Sequence, residues 1–207
     1  NLNKEKCIIS GNPIRDGLNL VDKNLAKKQL KFNPKKKLIF IMGGSQGAKA
    51  INNYFKKNID QYTKKDYQIL LQCGKNNYNN LKQIKNKHIR IERFITDMSL
   101  AYSASDIVIS RAGALAISEL CLMKKAMILI PFPYAAENHQ IINAEYLKQK
   151  EACEIIYQNE LTGNKLDLLV DKLFNNEKEI KKLEKYSFMN SKLDSSEIIT
   201  NKIISYI

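Results

Sequence analysis

Short apolar runs recur along the chain, and each is followed by a stretch whose apolar positions fall at helical spacing. Leu38–Met42 (LIFIM), 67–73 (YQILLQC), Ile89–Glu92, 106–110 (DIVIS), 127–130 and 152–156 are strand-sized. Between them, Ile51, Tyr54, Phe55 and Ile59 share one helical face. The spacing predicts helices over 48–59, 77–84, 98–105, 115–123 and 138–150, and two or three more over 161–207. Apolar strands, each followed by a helix, predict a parallel sheet covered on both faces. Right-handed crossovers then give an α/β, Rossmann-like, doubly wound sheet of about six strands. Residues 1–17 stand apart: CIISGNPIRDGL reads as a short strand running into a Gly-Asn-Pro turn. A linker containing KFNPKKK joins it to the first sheet strand.

The 207 residues suit one domain or slightly more. No apolar run approaches the roughly 18 residues of a membrane span, and no export signal is seen. The chain does not begin with Met, so it reads as a fragment or a processed product. Four scattered cysteines without a C-x-x-C suit a reducing compartment rather than a disulfide framework. With only two histidines, His88 and His139, a histidine-rich metal site or H-E-x-x-H chemistry is not expected. The net charge of +13 suits nucleic acid or an anionic membrane surface. The lysines are scattered among many Asn and Ile, however, as AT-rich codons alone would produce. No aromatic stripe or helix-turn-helix pattern accompanies them, so nucleic acid is not the expected partner.

Ligands of an open parallel sheet bind at the carboxyl ends of the strands. Gly43-Gly44-Ser45-Gln46-Gly47-Ala48 stands at one such end, before a helix whose N-terminal N–H groups can cradle phosphate. It equally fits a tight turn in which Ser45 caps the helix. Ser110–Leu115 (SRAGAL) is a second junction, with Ser118 and Glu119 one turn into its helix. A carboxylate there can accept two hydroxyls, as a ribose requires, or simply complement the helix dipole. Pro131-Phe132-Pro133-Tyr134 and Glu137-Asn138-His139-Gln140 form a third. There Asn138 can cap the next helix and Gln140 can bind sugar hydroxyls. His139 could act as a base but reads better as a surface residue. The backbone of 94–98 (FITDM) could pair with a base edge. Together these junctions suit a long, polar, phosphate-bearing ligand such as a nucleotide sugar.

GGSQGA after a strand, FITDM, SRAGALAISEL, and PF followed by ENHQIINA, in this order, resemble the MurG family. GNPIR near the start is similar to the segment joining that family's two domains, and DSSEIITNKI to its last helix. The resemblance covers the C-terminal half of such an enzyme. It implies the C-terminal domain of a GT-B glycosyltransferase, with 1–17 an interdomain strand and linker, 18–190 the UDP-GlcNAc-binding domain, and 191–207 a C-terminal helix returning toward an N-terminal domain.

By the same resemblance, Ser45 contacts the diphosphate, and Ile95 gives backbone hydrogen bonds to uracil in a pocket lined by Met98. Ala114, Leu115 and Ala116 offer N–H groups to phosphate and sugar. Glu119 holds the ribose, Gln140 the GlcNAc hydroxyls, and Arg15 sits near the donor. The implied activity is UDP-GlcNAc-dependent hexosyl transfer, inverting and without metal or cofactor, to the undecaprenyl-linked lipid I of peptidoglycan biosynthesis, at the cytoplasmic face of the inner membrane. No catalytic residue is expected in this chain. The family's proposed base is a histidine of the N-terminal half, matched by neither His88 nor His139, and lipid I would be bound through that half. The alternative is a non-catalytic donor-binding subunit of a bipartite UDP-GlcNAc transferase. One departure from the family is Lys124-Lys125-Ala126, where Gly and Pro are usual. Loss of the helix-ending glycine would cost roughly 1 kcal/mol.

Overall fold

A computed structural model describes residues 7–44, 47–192 and 194–206. Six parallel strands form one sheet in the order β3-β2-β1-β4-β5-β6. They are β1 (Leu38–Met42), β2 (Gln68–Gln72), β3 (Ile89–Glu92), β4 (Ile107–Ser110), β5 (Met127–Leu129) and β6 (Glu154–Ile155). Every residue of β1, β2, β4 and β5 is buried, which is why these strands read as continuous apolar runs. In register, Phe40 pairs with Leu70 on one side and Val108 on the other.

Nine α-helices lie among the described residues: α1 (Lys23–Gln29), α2 (Lys49–Lys64), α3 (Lys75–Leu81), α4 (Met98–Ala104), α5 (Ala114–Leu122), α6 (His139–Gln149), α7 (Lys165–Phe174), α8 (Glu177–Met189) and α9 (Ser195–Ile204). Alternate strand residues feed two cores. Leu38, Phe40, Leu70 and Val108 face α1, α4, α5 and α6, while Ile39, Ile41, Ile69 and Ile107 face α2, α7 and α8. Phe40 is fully buried, and its truncation to Ala would cost about 3–5 kcal/mol. The crossovers change face between β3 and β4, so winding reverses between the neighbours β1 and β4. A crevice therefore opens at the carboxyl ends of these two strands.

The linker expected before β1 contains a helix instead. Asp22 caps α1 by accepting from Leu25 N–H at 2.8 Å. Lys27, 2% exposed, reaches Asp106 Oδ2 at 2.8 Å and the Lys36 carbonyl at 2.7 Å. Asp106 also accepts from Lys23 (3.0 Å) and from the N–H of Leu38 (2.8 Å), tying α1 to the lower edge of the sheet. Against the upward push of burial, these lysines hold the Asp106 carboxyl below its usual range.

The strand expected within 1–17 is absent from the described residues 7–17, and among the described residues no strand lies beside them to accept its ladder bonds. This segment instead crosses α5, with Asn12 Nδ2 donating to Ser118 Oγ at 3.0 Å.

On the far face, Tyr54 of α2 donates to Asp167 Oδ1 of α7 at 2.6 Å, and Tyr62 donates to the same oxygen. After α5, Lys124 takes the left-handed position (φ 52°) that a glycine would occupy without strain. Lys125 is buried and donates to the carbonyls of Tyr102 (2.9 Å) and Ser105 (3.1 Å), satisfying the end of α4. Along α9, Ile203 and Ile204 remain exposed.

Candidate functional site

Four strand–helix junctions and the 13–15 segment surround the crevice. Gly44 and Gly47 adopt φ of 77° and 76° in the turn after β1. A Cβ on Gly47 would stand 2.1 Å from the Cys73 carbonyl, so only glycine lets this turn pack on the end of β2. Asn52 braces the same carbonyl at 2.8 Å. The α2 and α5 N-caps, Ala48 and Gly113, supply no side-chain hydrogen bond. At α5 no N-cap side chain takes up the first N–H groups, and they stand at the carboxyl end of β4.

Arg15, Ile95, Met98, Leu115, Ala116 and Glu119 line one cavity of about 530 Å³, together with Gly44, Gln72 and Phe94. Gln140 lines a neighbouring cavity of about 540 Å³ with Gly43, Gly47, Arg111, Phe132 and Gln158. Gly44 lines the first, and Gly43 and Gly47 line the second. Ala114 opens onto a different groove, of about 730 Å³, with Asn12, Ser118 and Asn143. Ser45 and its capping role lie outside the described residues.

Glu119 is buried, and its two carboxylate oxygens have separate partners. Oε1 accepts from Arg15 Nε at 2.7 Å and Oε2 from the Tyr102 hydroxyl at 2.8 Å. Burial, then the negative charge of Glu119, raises the Tyr102 phenol far above its ordinary pKa. The Ile95 N–H donates to Gln72 Oε1 at 2.9 Å. Gln140 Oε1 accepts from Phe132 N–H at 3.0 Å, which leaves its amide N–H₂ as the natural donor toward a ligand. Asn138 does not cap α6 with its side chain. It adopts a left-handed conformation (φ 55°), as does Glu137 before it (φ 50°), a turn its own side chain cannot close. Two such residues in succession store backbone strain beside Gln140. His139 is exposed, with Nδ1 2.8 Å from the Ala136 carbonyl, and serves the turn.

Arg111 is the half-buried cation of the second cavity. Its guanidinium donates to the carbonyls of Ile130 (3.0 Å) and Pro131 (3.2 Å) and to Gln158 Oε1 (2.5 Å), and it stacks on the Phe132 ring. Burial lowers its pKa to about 10. Among the described residues it makes no ion pair with a carboxylate, and it lines the 540 Å³ cavity.

Residues 38–199 match the profile of the glycosyltransferase family 28 C-terminal domain. The chain belongs to this family. The match opens at the first residue of β1 and contains every predicted site residue except Arg15. Over 207 residues, 99% of the chain, it is 35% identical to the UDP-N-acetylglucosamine--N-acetylmuramyl-(pentapeptide) pyrophosphoryl-undecaprenol N-acetylglucosamine transferase of Flavobacterium psychrophilum, of which it covers 56%. A protein of the same name from Parabacteroides distasonis is 42% identical over 161 residues, 73% of the chain and 43% of that protein. The crystal structure of Acinetobacter baumannii MurG superimposes with a TM-score of 0.74 at 25% identity, covering 91% of this chain and 54% of that one. The MurG-family resemblance and the Rossmann-like fold of a GT-B C-terminal domain are thereby borne out. The chain spans about half the length of the curated relatives it matches.

For this family 28 domain, three residues of the site were not singled out from sequence. Arg111 lies inside the SRAGA motif, where its charge was the available signal. Tyr102 and Gln72 gave none, since each reads as an ordinary member of its helix or strand.

Proposed function

We propose that this chain is the donor-binding half of an inverting UDP-GlcNAc-dependent glycosyltransferase that delivers GlcNAc to undecaprenyl-pyrophosphoryl-MurNAc-pentapeptide, converting lipid I to lipid II. The observation that carries this reading is the alignment of nearly the whole chain with transferases bearing that name. The crevice chemistry supports it. Uracil takes the 530 Å³ cavity, against the Ile95 carbonyl and Met98. The ribose hydroxyls reach Glu119 through lone pairs left by Arg15 and Tyr102. The diphosphate lies over the glycine turn with Ser45, the N-termini of α2 and α5, and Arg111. GlcNAc meets the amide of Gln140.

In the reaction, the 4-hydroxyl of the lipid-linked sugar attacks the anomeric carbon and UDP departs. Charge developing on UDP is met by helix N-termini and Arg111, which are fixed in advance and need little reorganisation. Removal of the acceptor proton requires a base from an N-terminal domain. The exposed Ile203 and Ile204 of α9 support a packing surface for that domain. The +13 charge supports a peripheral position on the anionic inner face of the inner membrane. No helix among the described residues is long and apolar enough to cross a membrane.

Titration calorimetry of the chain with UDP tests the reading. Saturable binding with no GlcNAc transfer to lipid acceptor is expected. No heat at millimolar UDP overturns donor binding, and transfer by the chain alone overturns the assignment of the base to another domain.

A further inference from the structure

Arg111 stands one residue past the end of β4 and joins the carboxyl ends of three strands. The β4–β5 ladder closes where the Ile130 N–H donates to the Ser110 carbonyl at 2.8 Å. The next two carbonyls, of Ile130 and Pro131, pass instead to a single nitrogen of the guanidinium, Nη1 (3.0 and 3.2 Å), while Nη2 donates to Gln158 beyond β6. All three acceptors are neutral. Half burying a guanidinium against uncharged acceptors is costly, so its presence reflects what it holds. Arg90, on the edge strand β3, is differently placed. It also holds one carbonyl, of Leu30 at 3.2 Å, but is balanced by Glu92 at 2.6 Å.

What Arg111 holds leads to Gln140. Pro131 has no N–H, so Phe132 carries the next donor along the loop. That N–H donates to Gln140 Oε1 at 3.0 Å, and the guanidinium lies over the Phe132 ring, 5.3 Å from its centroid. The turn that leads into α6 cannot fix Gln140 by itself. Glu137 and Asn138 both hold left-handed backbone, a strained conformation that persists only where its surroundings enforce it. A lysine in place of Arg111 keeps the charge but lacks the planar fork that bridges two carbonyls and stacks on a ring.

We infer that Arg111 is a positioning residue of the sugar subsite: by clamping the 130–132 backbone it fixes the Phe132 N–H that orients the Gln140 amide, and so sets the discrimination between hexose epimers. This rests on the reading of the crevice as a UDP-GlcNAc site.

The test is the ratio of UDP-GlcNAc to UDP-GalNAc affinity, read by calorimetry on the 207-residue chain alongside UDP, with thermal melting of each variant. Wild type should prefer UDP-GlcNAc. Arg111→Lys should lower the ratio by roughly fivefold or more. Gln140→Ala should lower it too, and the double variant should keep the ratio of Gln140→Ala, because Arg111 acts through Gln140. A folded Arg111→Lys with the wild-type ratio overturns the inference, even where UDP affinity falls. So does a double variant whose loss is the product of the two single losses. Should Arg111→Lys not fold, Phe132→Ala, at an exposed position, removes the stacked ring and keeps the N–H, and a wild-type ratio there overturns the inference. No wild-type preference between the epimers, or none lost in Gln140→Ala, overturns it together with the sugar assignment of Gln140 and leaves UDP binding standing. A wild type that binds neither UDP nor UDP-GlcNAc overturns the functional reading itself.

Discussion

Arg15 Nε meets Glu119 Oε1 at 2.7 Å across 104 positions of sequence, and this contact fastens the N-terminal segment to the wall of the crevice. Arg15 is half exposed while Glu119 is nearly covered, so the carboxylate is the anchored member. The pair places a cation at the mouth of the cavity and a carboxylate within it.

Glu119→Gln should therefore weaken UDP binding by about 1.5–3 kcal/mol, the usual worth of a hydrogen bond to a charged group. The amide keeps an oxygen that can accept from the buried Tyr102 hydroxyl, which Glu119→Ala would strand. Glu137→Ala, at an exposed turn position, should leave UDP affinity nearly unchanged. Calorimetric dissociation constants for the two variants decide the matter, and equal losses would remove the ribose assignment.

Gln140→Glu should weaken UDP-GlcNAc by roughly 1–3 kcal/mol more than it weakens UDP. The substitution retains an acceptor for the Phe132 N–H and so keeps the loop closed, but it removes the amide donor. Competition among UDP, UDP-GlcNAc and UDP-GalNAc measures the difference. Parallel losses for UDP and UDP-GlcNAc would mean that Gln140 does not read the sugar.

Lys125 supplies a pH dependence. Burial lowers its pKa from 10.5 to about 8. Below about pH 8 both folded and unfolded chains carry the proton, and the fold bears the full cost of burying it. Between about 8 and 10.5 the unfolded chain binds more protons, so this residue's contribution to stability rises with pH. The buried thiols of Cys121 and Cys153, raised to about 11 and about 12, act in the opposite direction above their ordinary value of 9.0. The informative quantity is thus the difference between wild type and Lys125→Met in denaturant unfolding at pH 7, 8.5 and 10. It should shift in favour of wild type by up to about 1.4 kcal/mol per pH unit above pH 8. A flat difference would refute the burial of a charged lysine.

Asp106→Asn should cost about 3–5 kcal/mol, because it strands the buried ammonium of Lys27. Chemical denaturation gives the value directly. Lys36→Ala, on an exposed ion pair with Asp66, provides the contrast and should change stability by less than about 1 kcal/mol.

The sheet was legible because its strands are buried on both faces and so appear as uninterrupted apolar runs. β1 and β3 fall on their predicted residues, and the others shift by one or two. Helix α1 was hidden because its buried face includes Lys27, whose partner Asp106 is 79 residues away. Nothing local marks such a lysine as a core residue. Cys7–Ser10 looked strand-like from its isoleucines, but a strand needs a neighbour, and neighbours are not written in a single segment. The glycine junctions could be read because backbone geometry restricts which residues fit there. Tyr102 and Gln72 could not, since their partners, Glu119 on another helix and the Ile95 backbone on a loop, are brought to them only by the folded sheet.

The bonds from Tyr54 and Tyr62 to Asp167 span 113 and 105 positions. During synthesis, α2 leaves the ribosome long before the carboxylate that receives both of its phenols. At 5–20 residues per second, that interval is roughly 5 to 20 seconds. Throughout it, the aromatic face of α2 has only a partial sheet to lie on and no α7 to cover it. This is a window in which a nascent chain invites chaperone binding or self-association, and it closes only when α7 arrives.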